Sequence, residues 1–266
     1  MNSKGTKWLD PGYLLQEQYR NASNLNARIQ LHQQFSINKY GWFRWLFDRI
    51  QLPSESQILE LGCGPGDLWK ENRDRIPDGW EITLSDLSPG MVQRAQQHLT
   101  EGARRFEFKV IDAQNIPFED GRFDAVIANH VLYHVPDRTK ALSEIRRVLG
   151  PSGRFFTSTI GQAHMRELHD LVCRFVPTVE PPPQSFLLEN GLDQLAPWFS
   201  KVALHRYEDG LVITSAEPLV AYVLSTRAKS ALMGDILTGF VSFVERELET
   251  HGVIHITKDS GLFEAW

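Results

Sequence analysis

The period of the apolar positions changes along the chain. In "GWFRWLFDRI" the apolar residues at 42, 43, 46, 47 and 50 form one helical stripe, and Pro53 closes the region. The polar stretch before it, "YLLQEQYRNASNLNARIQLHQQF", carries spaced apolar residues, so 13–50 reads as helical. From residue 57 short apolar runs take over. "QILEL" (57–61), "EITLSD" (81–86), "FEFKVID" (106–112), "FDAVIAN" (123–129) and "GRFFTSTI" (153–160) read as strands. Between them lie helices over 66–75, over 88–100 with Ser88 as N-cap and Pro89 in the first turn, and over 138–149, stopped by Gly150-Pro151. Strands alternating with helices predict an α/β fold with a doubly wound, mostly parallel sheet.

Past residue 161 the alternation loosens. "AHMRELHDLVCRFV" and "NGLDQLAPWF" read as helices on either side of the proline-rich "VPTVEPPPQS", "KVALHRYEDGLVIT" as a strand, 217–252 as helices and "VIHITKDSGLFEAW" as a closing strand. The expected organisation is a helical lid over 1–53 and a main domain over 54–266. Insertions at about 161–200 and 215–250 are expected to cap the carboxyl edge of the sheet, where open parallel sheets bind ligands.

Composition narrows the class. With 266 residues, 42% hydrophobic, the chain suffices for one large domain. A net charge of −5 lacks the global basic footprint of a nucleic-acid binder, so no nucleic-acid partner is expected. Two cysteines, Cys63 and Cys173, fit a reducing cytosol better than a disulfide framework. No apolar run reaches the roughly 20 residues of a membrane span, and "MNSKGTKWLDPG" has no signal-peptide core, so a cytoplasmic location is expected. No metal site is expected.

The chemistry concentrates in "ILELGCGPGDLW", where a strand breaks into Gly62, Gly64 and Gly66. Glycines admit positive φ and close backbone approach, and the N–H groups of the following helix suit negative charge, which alone fits a dinucleotide or a phosphate loop. A phosphate loop would need Lys-Ser/Thr after the glycines, and a dinucleotide turn would need glycine at 67, where Asp67 stands. Glu60 and Asp67 instead suit a ligand carrying positive charge. Cys63, inside the turn where a small side chain fits, reads as structural rather than nucleophilic. Asp86 ends the second strand, where an acid can accept both hydroxyls of a ribose. Asp112 ends the third and can accept from an exocyclic amine. His130, Tyr133 and His134 follow the fourth strand. Either histidine could serve as a general base or simply pack at the strand end.

In order, "ILELGCGPG", "LSDLSPGMVQRAQ", "VIDAQNIPFEDGRFDAVIANHVLYHV" and "EIRRVLGPSGRF" resemble class I S-adenosylmethionine-dependent methyltransferases of the small-molecule, ubiquinone/menaquinone-biosynthesis-like branch. The resemblance covers 57–160 and implies a Rossmann-like seven-stranded sheet with an antiparallel last strand. It implies S-adenosylmethionine as cofactor and S-adenosylhomocysteine as product. Glu60, Gly62, Cys63 and Gly64 would cradle the methionine moiety, and Asp86 would take the ribose hydroxyls. Leu87 and Met91 would pack near the adenine, Asp112 and Ala113 would meet its edge, and Asn129 would sit by the methionyl amine. Tyr19, in a segment that folds over the cofactor in similar proteins, would be a further contact. His134 and His130 are the catalytic candidates. The partner is a small-molecule acceptor, with aromatics such as Trp42, Phe186 and Tyr222 pointing to an apolar or aromatic one. The acceptor atom (oxygen, nitrogen or carbon) and the oligomeric state stay open. So do the alternatives of a protein or RNA methyltransferase on the same fold and of a non-enzymatic or dinucleotide-binding Rossmann-like protein. "ANHV" stands where many DNA and RNA enzymes carry Asn/Asp-Pro-Pro-Tyr.

Overall fold

The computed structural model of the protein describes residue 12 and residues 23–100, 106–177 and 185–266. Helices α1 (Ser23–Phe35) and α2 (Trp42–Phe47) precede the alternating region. There follow β1 (Glu55–Leu61), α3 (Asp67–Glu71), β2 (Gly79–Asp86), α4 (Pro89–Leu99), β3 (Phe106–Val110), β4 (Phe123–Asn129), a 3-10 turn at Leu132–His134, α5 (Arg138–Val148) and β5 (Leu149–Ile160). The rest comprises α6 (Arg166–Cys173), α7 (Gly191–Leu195), β6 (Val202–Ile213), α8 (Ala216–Leu224), α9 (Gly234–His251) and β7 (Ile254–Ala265).

Seven strands form one sheet in the order β3-β2-β1-β4-β5-β7-β6. The first five are parallel, and β7 runs antiparallel between β5 and β6. Strands β1 and β4 are buried on both faces, which explains their continuous apolar runs. Ile58, Ala125 and Ile127 pack with Trp69, Ile82 and Leu84 beneath α2, α3 and α4. Leu59 and Val126 face the other way, toward Leu142, Ile145 and Phe155. A third core lies outside the alternating region. There α1, α6, α8 and α9 bury Leu31, Leu168, Leu219 and Phe240 with Leu211 and Ile256 of the long antiparallel β6–β7 pair.

The chain turns back between β1 and β4, the switch point at which open parallel sheets form a ligand crevice. Register sets which side chains reach that edge: Glu60 lies beside Leu84 and Ile127, Asp86 beside Val110, and Asn129 beside Ser158.

Three local expectations are corrected. Gly150-Pro151 do not separate α5 from the next strand, because β5 begins at Leu149 and includes them, with a register irregularity between Phe123 and Ala125 accommodating them. The helical reading of 13–50 is interrupted at 36–41, where Ser36 bridges to Leu211, and Ile50 joins the core through a turn after α2. Strand β3 ends at Val110 rather than 112, since Asp112 opens a turn closed by Asn115.

Candidate functional site

The glycine turn is shaped by sterics. Gly62, Gly64 and Gly66 have φ of +70°, +52° and +82°, a region costly for side chains with a Cβ. A Cβ on Gly62 would stand 2.3 Å from Val131 Cγ2, and one on Gly66 would stand 2.8 Å from Leu99 Cδ1. Gly64 differs, since a Cβ there would meet nothing within 4 Å. Two glycines serve packing, and the third leaves a backbone edge open.

That edge belongs to a cavity of about 1070 Å³. Glu60, Gly62, Cys63, Gly64, Asp86 and Leu87 line it, as do Met91, Asp112, Ala113, Asn129, His130 and His134, so the sequence-derived candidates converge on one space. Tyr19 lies outside the described residues, as does Tyr13 of the same segment.

The acids are held differently from one another. Glu60 is 2% exposed and accepts a hydrogen bond of 2.5 Å from Trp69 Nε1. Burial above all, then the nearby Asp86 and Asp67, raise its pKa to about 8 against the pull of Trp69. Asp86 ties the second strand to the turn: its Oδ2 accepts from the Gly64 N–H at 3.0 Å and its Oδ1 from the Ser88 N–H at 2.8 Å. Burial still pushes its pKa up, and it does the same to Asp67 at the start of α3. Asp112 accepts from the Gln114 N–H at 2.9 Å and from its side-chain amide at 3.0 and 3.1 Å, so it caps its own turn while lining the cavity. Cys63 is buried beside Glu60 and Asp86, and burial and those acids hold its thiol protonated, in keeping with a structural role.

The β4 end carries the histidines. His130 has φ +57°, and its N–H reaches Ser158 Oγ at 3.0 Å. Asn129 Oδ1 accepts from the same hydroxyl. Burial, then Lys258 and His134, pull the pKa of His130 down to about 4, so its imidazole is neutral at pH 7. Its ring lies 5.3 Å from that of Trp42 and 6.2 Å from Tyr133, which packs 4.5 Å from His134. Trp42 is both packing and lining: it stacks on Trp45 at 5.2 Å, meets Tyr207 edge-on and faces the cavity.

Beyond β4 the wall comes from elements whose share in the site the strand motifs did not reveal. His32 of α1, His164 and Met165 after β5, Leu168 and Val172 of α6, Tyr222 of α8 and Lys258 of β7 all line it. His164 and Lys258 were missed by sequence reasoning. Their one signal was the alternating "VIHITKDSG" for β7, and nothing local ties it to residue 164. Among the described residues no three His, Cys, Asp or Glu side chains cluster as a metal site, and no helix is long and apolar enough to cross a membrane.

Known proteins share this framework. Residues 59–157 match a methyltransferase domain family. The chain is 33% identical over 111 residues to a ubiquinone biosynthesis O-methyltransferase of Xanthomonas axonopodis pv. citri, covering 41% of this chain and 45% of that protein. It is 28% identical over 170 residues to a demethylmenaquinone methyltransferase of Lactiplantibacillus plantarum, covering 63% of this chain and 65% of that one. The matches thus span from under half to about two thirds of these relatives' length. In fold the chain is similar to Haemonchus contortus phosphoethanolamine N-methyltransferase 2 in complex with S-adenosyl-L-methionine, at a TM-score of 0.59 and 19% identity, over 96% of this chain and 59% of that one. Residues 59–157, which build most of β1 to β5 and the glycine turn, are the part of the chain that is similar to a methyltransferase domain family.

Proposed function

We propose that this protein transfers a methyl group from S-adenosylmethionine to a small, largely apolar acceptor held in the same cavity. The observation that carries this reading is the cluster of Glu60, Asp67 and Asp86 around an open glycine edge, all three pushed toward protonation by burial. Such a set disfavours a phosphate and favours a ligand bearing an ammonium and a sulfonium. The relatives named above carry the matching activity class.

In this reading Glu60, Gly62, Cys63 and Gly64 hold the methionine part and Asn129 stands by its amine. Asp86 takes the ribose hydroxyls, Leu87 and Met91 flank the adenine, and Asp112 and Ala113 meet its edge. Tyr19 joins them on resemblance alone. When bound, the cofactor supplies a methyl group already activated by its sulfonium. The chain's own contribution is therefore orientation and exclusion of water. Met165, Leu168, Val172 and Val223 supply an apolar wall. His134 and His130 are the groups that would accept a proton from a hydroxyl or amine nucleophile. Helices α1, α6 and α8 line the acceptor side.

Thermal melting tests the reading. S-adenosylmethionine or S-adenosylhomocysteine should raise the melting temperature, NAD should not, and Asp86→Ala should remove most of the shift. Stabilisation by NAD and not by the sulfonium compound would overturn it. Formation of S-adenosylhomocysteine from phenol, amine or carbanion acceptors then identifies the receiving atom.

A further inference from the structure

The charge lining the cavity is sorted by element. Its five carboxylates, Glu60, Asp67, Glu71, Asp86 and Asp112, all stand on or just after β1, α3, β2 and β3. Basic groups line it from α1 (His32), the chain after β4 (His130), the chain after β5 (His164) and β7 (Lys258), while Arg28, Lys39, Arg44, His134 and His169 add further basic groups to the lining. In the strand order the carboxylates stand at β3, β2 and β1, His130 at the adjacent β4, and His164 and Lys258 at β5 and β7 on the far side. Three inter-strand steps separate β1 from β7, roughly 14 Å.

The basic end is built rather than incidental. The rings of His32 and His164 lie 6.4 Å apart, and Tyr222 meets His32 edge-on at 5.8 Å. His164 Nδ1 accepts the Asp259 N–H at 3.2 Å, which places the imidazole proton on Nε2 as a donor. Lys258 donates to Asp209, a fully buried carboxylate that also accepts from Ser36 Oγ and from the N–H groups of Asn38 and Gly210. Asp209 does not line the cavity, whereas Lys258 does. His32 Nδ1 and Trp42 Nε1 are buried without a hydrogen-bond partner, a state native structures rarely leave unexplained. The two non-glycine residues with positive φ among the described residues, His130 at +57° and Met165 at +58°, both line this cavity. Backbone strain of that kind persists where surrounding structure enforces it.

We propose that His32, His164 and Lys258 form an anion subsite that holds an oxyanion of the acceptor, a carboxylate or an ionised phenol, and so orients its apolar body toward the glycine turn. This rests on the methyltransferase reading for its purpose, not for its binding chemistry. Burial above all, and with it the ammonium of Lys258, disfavours charge on the imidazoles of His32, His130 and His164, with Asp209 opposing the effect at His32. An anion among them relieves that repulsion and gains charge-assisted hydrogen bonds.

Calorimetric titration with 2-naphthoate and with its uncharged analogue 2-naphthamide tests the subsite, with and without saturating S-adenosylhomocysteine. The carboxylate should bind at least about tenfold more tightly than the amide. His32→Gln and His164→Gln, singly or together, should narrow that preference to about threefold or less while S-adenosylhomocysteine affinity is unchanged. Equal affinities in the wild-type protein, no measurable binding of either probe, or a preference that survives the substitutions overturns the subsite. The wild-type comparison decides even if a variant does not fold. Failure of S-adenosylhomocysteine itself to bind overturns the methyl-donor reading instead, and the naphthoate titrations then judge the subsite on their own.

Discussion

At the scale of single residues, the three turn glycines are not equivalent. Gly62→Ala would press a methyl group into Val131 at a positive φ, and it should lower stability by about 1–3 kcal/mol in urea unfolding. Gly64→Ala meets no neighbour and should cost only about 1 kcal/mol of strain, yet it should weaken S-adenosylhomocysteine binding in calorimetry more than Gly62→Ala weakens folding. Glu60 makes a prediction about pH. Its pKa rises from 4.5 to about 8 in the fold, so the folded chain holds more protons than the unfolded chain between those values. Ligand-free stability should therefore fall as pH rises from 4.5 to 8 on account of this group. Glu60→Gln keeps an acceptor for Trp69 and removes that titration. Its melting temperature should exceed the wild type's at pH 8, and the gap should close toward pH 5. A gap that does not change with pH would mean Glu60 is already charged in the ligand-free protein.

Among elements, the parallel half is stitched together by short-range contacts that the sequence carries openly. Ser88 caps α4, and Asp137 caps α5 by accepting the Lys140 N–H at 2.9 Å. Asp137→Ala should cost about 1 kcal/mol of stability without altering cofactor binding. Ser88 was legible from the sequence because it precedes Pro89 and an apolar helical pattern, whereas the Asp137 cap is seen in the structure. The antiparallel β6–β7 pair is the opposite case. Its strands read correctly as strands, but their pairing brings Asp209 beside Lys258 across 49 residues of sequence. Asp209→Asn would leave the nearly buried Lys258 without its counter-charge and should destabilise by about 3–5 kcal/mol in denaturant unfolding, with the loss centred on the third core.

For the whole molecule, the cavity joins an acidic wall made by the parallel half to a basic, aromatic wall made by α1, α6, α8 and β7. His32 on that second wall and His130 after β4 report on it, since burial lowers their pKa to about 3 and about 4. The unfolded chain then binds more protons below pH 6.5, so these groups subtract stability as pH falls from 6.5 toward 4. His32→Gln should lessen that acid sensitivity, measured as the change in melting temperature between pH 6.5 and 4.5. An undiminished sensitivity would place the cause elsewhere.

What the sequence by itself determined was the local part of this design. Strands β1 to β5, the glycine turn and the acids at 60, 86 and 112 follow from period, sterics and strand-end position, each within one strand–turn–helix unit. Those signals are local because a parallel strand buried on both faces must be apolar throughout and must present its polar residues at its carboxyl end. Tertiary structure alone decided that His32, His164 and Lys258 share one wall, that Trp69 rather than solvent satisfies Glu60, and that His130 takes a left-handed backbone. His32 and Lys258, for one, stand more than two hundred positions apart. Such relations depend on how helices pack on the long antiparallel β6–β7 pair, and no periodicity encodes which side chains that packing brings together.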